Sequence, residues 1–223
     1  MDQEKKKNSK SETLMTVLSR LAKTPEDKDL LASTLKGLDE KYALSRKIIQ
    51  EPGLEEIIKQ LLGRIYQAYG TFVTLKGKRI LDIASGSNSS KAPAFVFVNT
   101  PFGEQRIPIS NMDGYTVQFE PWFCRILLEL GADPVGVDLG NLEGEIFEHY
   151  NIDLGKEGAL NFLPGRSFDA VQDSRLFGSP EFYAMFPNQE DRLKVAKEIW
   201  KQEQRILKTN GVIIHSDAAN LVH

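Results

Sequence analysis

Two acidic residues at the ends of apolar, β-prone segments are the first candidates for chemistry in this sequence. The apolar segment 78–83 contains Asp82, and a run of small residues centred on Gly86 follows it directly. A second segment, 133–139, carries Asp138 near its end. A strand that breaks into glycine and serine allows backbone N–H groups to approach a ligand closely. An acid at the end of the next strand can accept hydrogen bonds from both hydroxyl groups of a ribose.

The stretch between these two segments has helical patterning at residues 120–131. A strand, a small-residue loop, a helix and a strand that ends in an acid together form a nucleotide-binding βαβ unit. We therefore expect a nucleotide-type cofactor at the carboxyl ends of the two strands. Enzymes that bind NAD and enzymes that bind S-adenosylmethionine (SAM) both use this arrangement, so the acid alone does not separate the two cofactors.

The loop itself favours SAM. A dinucleotide pyrophosphate needs a close approach to a helix N-terminus through G-x-G-x-x-G, whereas residues 84–88 contain one glycine, Gly86. SAM has no phosphate and presents a zwitterionic methionine end, so it tolerates a looser loop. An aspartate just before the loop also fits SAM better than NAD.

Residues 82–88 resemble motif I of the class I SAM-dependent methyltransferases, whose usual form is D-x-G-x-G-x-G. Asp82 takes the acid position and Gly86 takes the central glycine. Ala84 and Asn88 stand where the family has its outer glycines. Asparagine is compatible with a positive φ, so the turn is expected to persist.

The resemblance continues in chain order from residue 76 to residue 217. Residues 151–154 resemble the third-strand acid that binds the adenine amino group, and residues 167–174 resemble the fourth strand, which ends beside the methionine moiety. Residues 205–215 resemble the helix end, turn and fifth strand. The resemblance implies a SAM site formed by Asp82, Ala84, Ser85, Gly86, Asp138, Leu139, Asp153, Leu154, Gln172 and Asp173.

Methyl transfer requires few catalytic groups. Transfer from a sulfonium is an in-line displacement, in which positioning is worth roughly 7–11 kcal/mol. A base is needed only where the acceptor must lose a proton. Asp173 is the candidate catalytic residue, as a base or as the partner of the methionine amino group, and its alternative role is a capping carboxylate. His149 and His215 have no metal-binding spacing, and no metal is expected.

The acceptor is expected to be a small molecule. The Asn/Asp-Pro-Pro-Tyr motif of enzymes that methylate planar amides or base amines is missing from residues 172–175. A net charge of −3 gives no general attraction to nucleic acid, so no nucleic-acid partner is expected. Two alternatives stay open: a non-catalytic interaction protein with the same fold and, less favoured, an NAD-dependent oxidoreductase.

Composition predicts a soluble globular protein. Hydrophobic residues make up 41% of the chain and charged residues 26%, which are ordinary values. The one cysteine, Cys124, excludes an intrachain disulfide and a multi-cysteine zinc site. The absence of an apolar run of about 18 residues and of a signal peptide predicts a cytoplasmic protein without a membrane partner.

The pattern of elements predicts an α/β fold with a Rossmann-like parallel sheet in the order 3-2-1-4-5 and helices on both faces. Residues 1–70 are predicted to form an N-terminal helical extension, either a covering layer or a lid. Residues 71–223 are predicted to form the SAM-binding domain, with an insert at 91–119 that forms a β-hairpin or an extended excursion. The fifth strand is predicted at 211–217. Because six residues follow it, the family's usual last two strands would be lacking, and a homodimer is expected to cover the exposed edge.

Overall fold

A computed structural model of the chain describes residues 20–88, 95–100, 103–108, 117, 119–173 and 176–222. Its helices are α1 (Pro25–Tyr42), α2 (Leu44–Gln50), α3 (Gly53–Tyr69), α4 (Trp122–Glu129), α5 (Pro180–Met185), α6 (Gln189–Ile206) and α7 (Asp217–Val222). Its strands are β1 (Arg79–Ile83), β2 (Phe95–Thr100), β3 (Gly103–Pro108), β4 (Asp133–Asp138), β5 (Glu148–Asn151), β6 (Phe168–Asp173) and β7 (Leu207–His215). None of the described helices is long and apolar enough to cross a membrane.

Five of the strands form one parallel sheet in the order β5-β4-β1-β6-β7. Numbered along the parallel strands alone, this order is 3-2-1-4-5, and the predicted fold class is confirmed. β1 lies at the centre, with Ile83 opposite Val137 on one side and Asp173 on the other. The strand order reverses between β1 and β6, and ligands of open α/β sheets bind at the carboxyl ends of strands at such a point.

Successive side chains of β1 alternate between two hydrophobic cores, one on each face of the sheet. Ile80 packs in the first core with α1–α4, whereas Leu81 and Ile83 pack in the second core with α6. Successive side chains of a strand point to opposite faces, so the apolar run of β1 requires helices on both sides. The structure has them on both sides.

The N-terminal helices belong to the first core. α1 begins where the sequence predicts: the hydroxyl of Thr24 accepts a hydrogen bond from Asp27 N at 3.1 Å, and Pro25 is the first helical residue. The fully buried apolar side chains of α1 and α3 include Leu38, Leu54, Ile58, Leu62 and Ile65. The described helices therefore form a layer on one face of the sheet, while the lid role and the domain division at residue 70 stay predictions.

The insert after β1 contains a β-hairpin. β2 and β3 pair antiparallel, with Phe95 opposite Pro108 and Thr100 opposite Gly103. The hairpin alternative is therefore correct for these strands, and β2 lies beside α5. The rest of the predicted insert lies outside the described residues, apart from Val117 and Phe119.

The fifth parallel strand has different bounds from those predicted. β7 runs from Leu207 to His215, not over 211–217. Its pairing with β6 jumps from Phe168↔Leu207 to Ala170↔Val212, so the predicted turn is accommodated as an irregularity within the strand. Asp217 begins α7 instead of ending the strand, because its backbone N–H donates to Asp173.

Candidate functional site

The loop after β1 has a backbone conformation that requires glycine at one position. Gly86 has φ +99°, and a Cβ atom there would lie 2.0 Å from the carbonyl oxygen of Phe119. The preceding Ala84 also has positive φ, 60°. Ser87 N donates to the same carbonyl oxygen of Phe119 at 2.9 Å. The loop therefore lies directly against the backbone that leads into α4, and no side chain larger than hydrogen fits at Gly86 without a shift.

Asp138 at the end of β4 is bonded to this loop. Its Oδ2 accepts a hydrogen bond from Gly86 N at 2.8 Å, and its Oδ1 accepts one from Gly140 N at 2.6 Å. The structure thus brings together the glycine loop and the ribose-binding acid that the sequence predicts. The next residue, Leu139, accepts from Asn151 Nδ2 at 3.1 Å and joins the ends of β4 and β5.

Asp82 and Gln172 lie side by side on neighbouring strands. Asp82 is opposite Gly136 of β4 on one side and Gln172 of β6 on the other. Both side chains are buried. The Cys124 thiol lies 3.7 Å from Asp82 Oδ2, and burial, followed by the charge of Asp82, raises the pKa of this thiol. Cys124 is therefore a packed thiol that contacts the motif acid.

Ser85 supplies a buried hydroxyl group to the loop. Its side-chain oxygen has no hydrogen-bond partner among the described residues. Its backbone N–H donates to Val137 O at 3.2 Å, which fixes the residue over β4. A buried polar atom without a partner costs free energy. A ligand with a polar end at this loop would supply the missing partner, so the loop fits the predicted methionine-end site.

The predicted adenine-binding residues follow the end of β5. Asp153 lies two positions beyond Asn151, the last residue of the strand. Its Oδ1 accepts from Gly155 N at 3.0 Å. Leu154 is buried in the second core. Ile152 N donates to the carbonyl oxygen of Asp138 at 2.8 Å, so this segment lies at the same edge of the sheet as the other predicted cofactor residues.

Asp173 occupies the other face of the sheet from Gln172, because adjacent strand residues alternate. It has no exposed surface. Its carboxylate accepts hydrogen bonds from Asp217 N, from Ala218 N at 3.0 Å and from the Ser216 hydroxyl at 3.0 Å. Asp173 therefore caps the N-terminus of α7. Its predicted role in catalysis stays a prediction.

Sequence reasoning missed Glu203, which lies beside Asp173. Its side chain is fully buried on α6, and its Oε2 lies 2.8 Å from the Ser216 hydroxyl oxygen. Burial, followed by the charge of Asp173, raises the pKa of Glu203 to about 9. A signal was present, because Ile199, Glu203 and Ile206 follow the helical spacing of the buried face.

Sequence reasoning also missed a buried ionic cluster next to the loop. Arg125 of α4 forms ion pairs with Glu120 and Glu145, and Lys47 of α2 pairs with Glu120. The signal was Arg125 itself, a charged residue inside the apolar helical run of α4. Glu145 lies 20 residues from Arg125, and Lys47 lies 73 residues from Glu120, so these partners could not be identified from spacing.

In the part of the chain that the structure describes, no group of three or more His, Cys, Asp or Glu side chains could hold a metal ion.

No protein-family model matches the sequence, and a search of curated proteins finds no match. The function is therefore inferred from the fold and from the geometry of the residues themselves.

Proposed function

We propose that this protein is a SAM-dependent methyltransferase that acts on a small-molecule acceptor. The observation that supports this most is the bond between Asp138 and Gly86. It joins the acid at the end of the second parallel strand to the glycine loop at the end of the first. The two predicted halves of a cofactor site are thereby held in one arrangement beside the point where the strand order reverses.

Most of the predicted cofactor residues have a proposed role. Bound SAM would supply a methyl group on a sulfonium sulfur. The loop backbone and the Ser85 hydroxyl would hold the methionine end, with Asp82 beneath them. Asp138 would accept hydrogen bonds from the ribose hydroxyls, and Asp153 with Leu154 would hold the adenine.

The proposed acceptor site lies under the segments that follow β1 and β6. The hairpin follows β1 and α5 follows β6, and β2 of the hairpin lies beside α5. These two segments are therefore neighbours next to the reversal of strand order. Closing such segments over a reacting pair excludes water and fixes its geometry. An enclosed site of this kind suits a small acceptor better than a polymer.

The NAD alternative has less support from the geometry. A pyrophosphate is held where a glycine loop runs directly into a helix N-terminus. Here the loop leads to the β2–β3 hairpin, and α4 begins only after it. A non-catalytic interaction protein with the same fold stays an alternative, and the absence of both SAM and NAD binding would favour it.

Calorimetric titration with SAM, S-adenosylhomocysteine and NAD tests the proposal. We expect the first two to bind and NAD not to bind. Asp138→Ala removes two hydroxyl contacts to a charged acceptor, each worth roughly 1.5–3 kcal/mol, so SAM affinity should fall at least about tenfold. Asp133→Ala is the matched control, because Asp133 begins the same strand and pairs with Arg79 at 3.0 Å.

Binding of NAD alone, or of none of the three ligands, would overturn the proposal. An unchanged SAM affinity in folded Asp138→Ala protein would contradict the ribose assignment. Incubation of small-molecule extracts with methyl-labelled SAM then tests transfer, since label should pass to a low-molecular-weight product only where the wild-type protein is present.

A further inference from the structure

A buried cluster of four charged side chains lies against the loop that contains Gly86. Its members are Lys47, Glu120, Arg125 and Glu145. Arg125 pairs with Glu120, and it donates to Glu145 through Nε at 3.1 Å and through an Nη atom at 2.5 Å. Lys47 Nζ lies 2.7 and 2.5 Å from the two carboxylate oxygens of Glu120. These four side chains carry two positive and two negative charges, so Lys47 contributes one of the two cations among them.

The balance of positive and negative charge matters because these side chains are largely buried. The exposed fraction of the side chain is 0% for Glu120, 1% for Glu145 and 3% for Arg125, whereas it is 23% for Lys47. Breaking a buried ion pair by removing one partner leaves an uncompensated charge, which is strongly unfavourable. Loss of Lys47 would remove the cation that contacts both carboxylate oxygens of the buried Glu120. Water entry or a shift of Glu120 would then relieve the excess charge.

The loop at residues 84–88, here called the cofactor loop, contacts the backbone of Phe119 and Glu120. A shift of Glu120 would therefore displace this loop. The carbonyl oxygen of Phe119, which precedes Glu120, accepts the Ser87 N–H at 2.9 Å. Gly86 lies against the same backbone, where a Cβ atom would be 2.0 Å from Phe119 O and 3.1 Å from the carbonyl carbon of Glu120. The loop has no free space on this side, so its position depends on where Phe119 and Glu120 are held.

Lys47 belongs to the N-terminal helices. It therefore connects these helices to the contact between Glu120 and the cofactor loop. It lies on α2, and its Nζ is 5.4 Å from the centre of the Trp122 ring. The guanidinium of Arg125 lies 4.4 Å from the Tyr42 ring and 4.9 Å from the Trp122 ring. Cation–π contacts of this kind fix the cations as well as stabilise them. The end of α1, α2 and the start of α4 therefore form one packed unit around the cluster.

We propose that Lys47 is a positioning residue for the cofactor loop. By neutralising Glu120 and tying it to α2, Lys47 holds the Phe119–Glu120 peptide against which Gly86 and Ser87 are ordered. The N-terminal helical layer thus sets the conformation of the loop from outside the sheet. The effect on the loop is independent of any ligand, whereas the effect on SAM affinity rests on the proposed function.

Three variants test this proposal in the full chain. Lys47→Met removes the charge with little loss of side-chain length, and Lys47→Arg restores a cation. Lys41→Met is the matched control, because Lys41 Nζ forms an ion pair at 2.6 Å with Glu129 at the opposite end of α4. Amide hydrogen exchange measured by NMR at Gly86 and Ser87, relative to Leu81 in β1, reports the order of the loop separately from global stability.

We expect Lys47→Met to accelerate exchange at Gly86 and Ser87 by about 2- to 30-fold relative to Leu81, the range typical of coupling through packed networks. Lys47→Arg should restore most of the protection, and Lys41→Met should match the wild type. SAM affinity should weaken by a similar factor in Lys47→Met. If the wild type binds no SAM, the proposed function fails, but the exchange data still decide the role of Lys47.

A double variant keeps the test decisive if Lys47→Met does not fold. Lys47→Met with Glu120→Gln removes one charge of each sign, so Arg125 and Glu145 stay balanced. We expect this protein to fold and yet to exchange faster than Lys41→Met at Gly86 and Ser87, because the tie to α2 is lost. Protection equal to that of Lys41→Met, in the single variant or in the double variant, would overturn the proposal.

Discussion

Asp173 and Glu203 approach each other across one hydroxyl group, that of Ser216, which lies 3.0 Å from Asp173 Oδ2 and 2.8 Å from Glu203 Oε2. A hydroxyl group has one proton to donate, so it cannot satisfy two ionised carboxylates. The raised pKa of Glu203, about 9, resolves this conflict, because Glu203 keeps its own proton at neutral pH. The pair then carries one negative charge, which the first N–H groups of α7 stabilise at Asp173.

Glu203→Gln should flatten the dependence of stability on pH. The pKa of Glu203 in the folded protein, about 9, lies above its ordinary value of 4.5. Stability contributed by this group is therefore present below pH 4.5 and is lost as the pH rises toward 9. The loss is at most about 1.4 kcal/mol per pH unit. Glutamine has the shape of the protonated acid and does not titrate. The free energy of unfolding of the variant should therefore rise relative to that of the wild type from pH 5 to pH 9.

Urea unfolding at pH 5, 7 and 8.5 measures this difference in the free energy of unfolding. Glu198→Gln is the control, because it removes a carboxyl group from a more exposed position of α6, beside Lys201. It separates the effect of net charge from that of the buried proton. Parallel pH profiles for Glu203→Gln and the wild type would show that Glu203 is ionised in the folded protein.

Asp173→Asn should loosen the end of the chain. The carboxylate of Asp173 accepts from two backbone N–H groups of α7 and from the Ser216 hydroxyl. An amide has one oxygen to accept with and adds two donors, so at least one of these groups loses its partner. We expect the free energy of unfolding to fall by about 1–3 kcal/mol. Hydrogen exchange at Ala218 should accelerate before global unfolding.

The same variant also tests the predicted role of Asp173 at the cofactor. SAM affinity is measured well below the unfolding transition, where loss of folded protein does not contribute. A tenfold or larger loss of affinity would support the predicted contact with the methionine amino group. Unchanged stability of Asp173→Asn would contradict the capping role that the structure gives this residue.

Gly86→Ala should damage the site, whereas Gly63→Ala should strengthen the protein. At Gly86, an added Cβ meets Phe119 O at 2.0 Å and the backbone has φ +99°, so the loop must move at a cost of about 1–3 kcal/mol. At Gly63, in the middle of α3, an added Cβ meets nothing within 4 Å. Alanine is favoured over glycine in a helix by about 0.5–1 kcal/mol.

Thermal unfolding and SAM titration of both variants check this pair of predictions. SAM affinity should fall in Gly86→Ala and should stay at the wild-type value in Gly63→Ala. Wild-type affinity in Gly86→Ala would mean that the loop is not part of the cofactor site.

The order of the sheet could be predicted because local signals determine it. The apolar run of β1, the acid at the end of β4 and the helical spacing between them each specify an element, and parallel strands joined by helices leave few topologies. A hairpin was one of the two alternatives predicted for the insert, because apolar segments flank a turn-rich stretch there. The bounds of β7 could not be predicted, since the pairing of Phe168 with Leu207 depends on a neighbouring strand and not on the residues of β7 alone.

The missed residues have partners that are far away in sequence. Glu203 meets Asp173, and Glu120 meets Lys47, across separations that no spacing rule covers. Asp173 was correctly placed at a strand end, yet both of its possible roles were open because the position of α7 was unknown. Sequence therefore predicted which residues lie at the carboxyl ends of the strands, but it did not identify the buried charges beside them.

Ligand binding should protect the hairpin and α5 together. β2 lies beside α5, and these segments follow the two strands that flank the reversal of strand order. A bound SAM molecule between those strand ends would contact the underside of both, and it should slow their opening. We expect hydrogen exchange in 95–100 and 180–185 to slow on addition of S-adenosylhomocysteine, while exchange in α3 stays unchanged. Binding without any change in these two segments would mean that they are scaffold, and that the acceptor reaches the cofactor by another side.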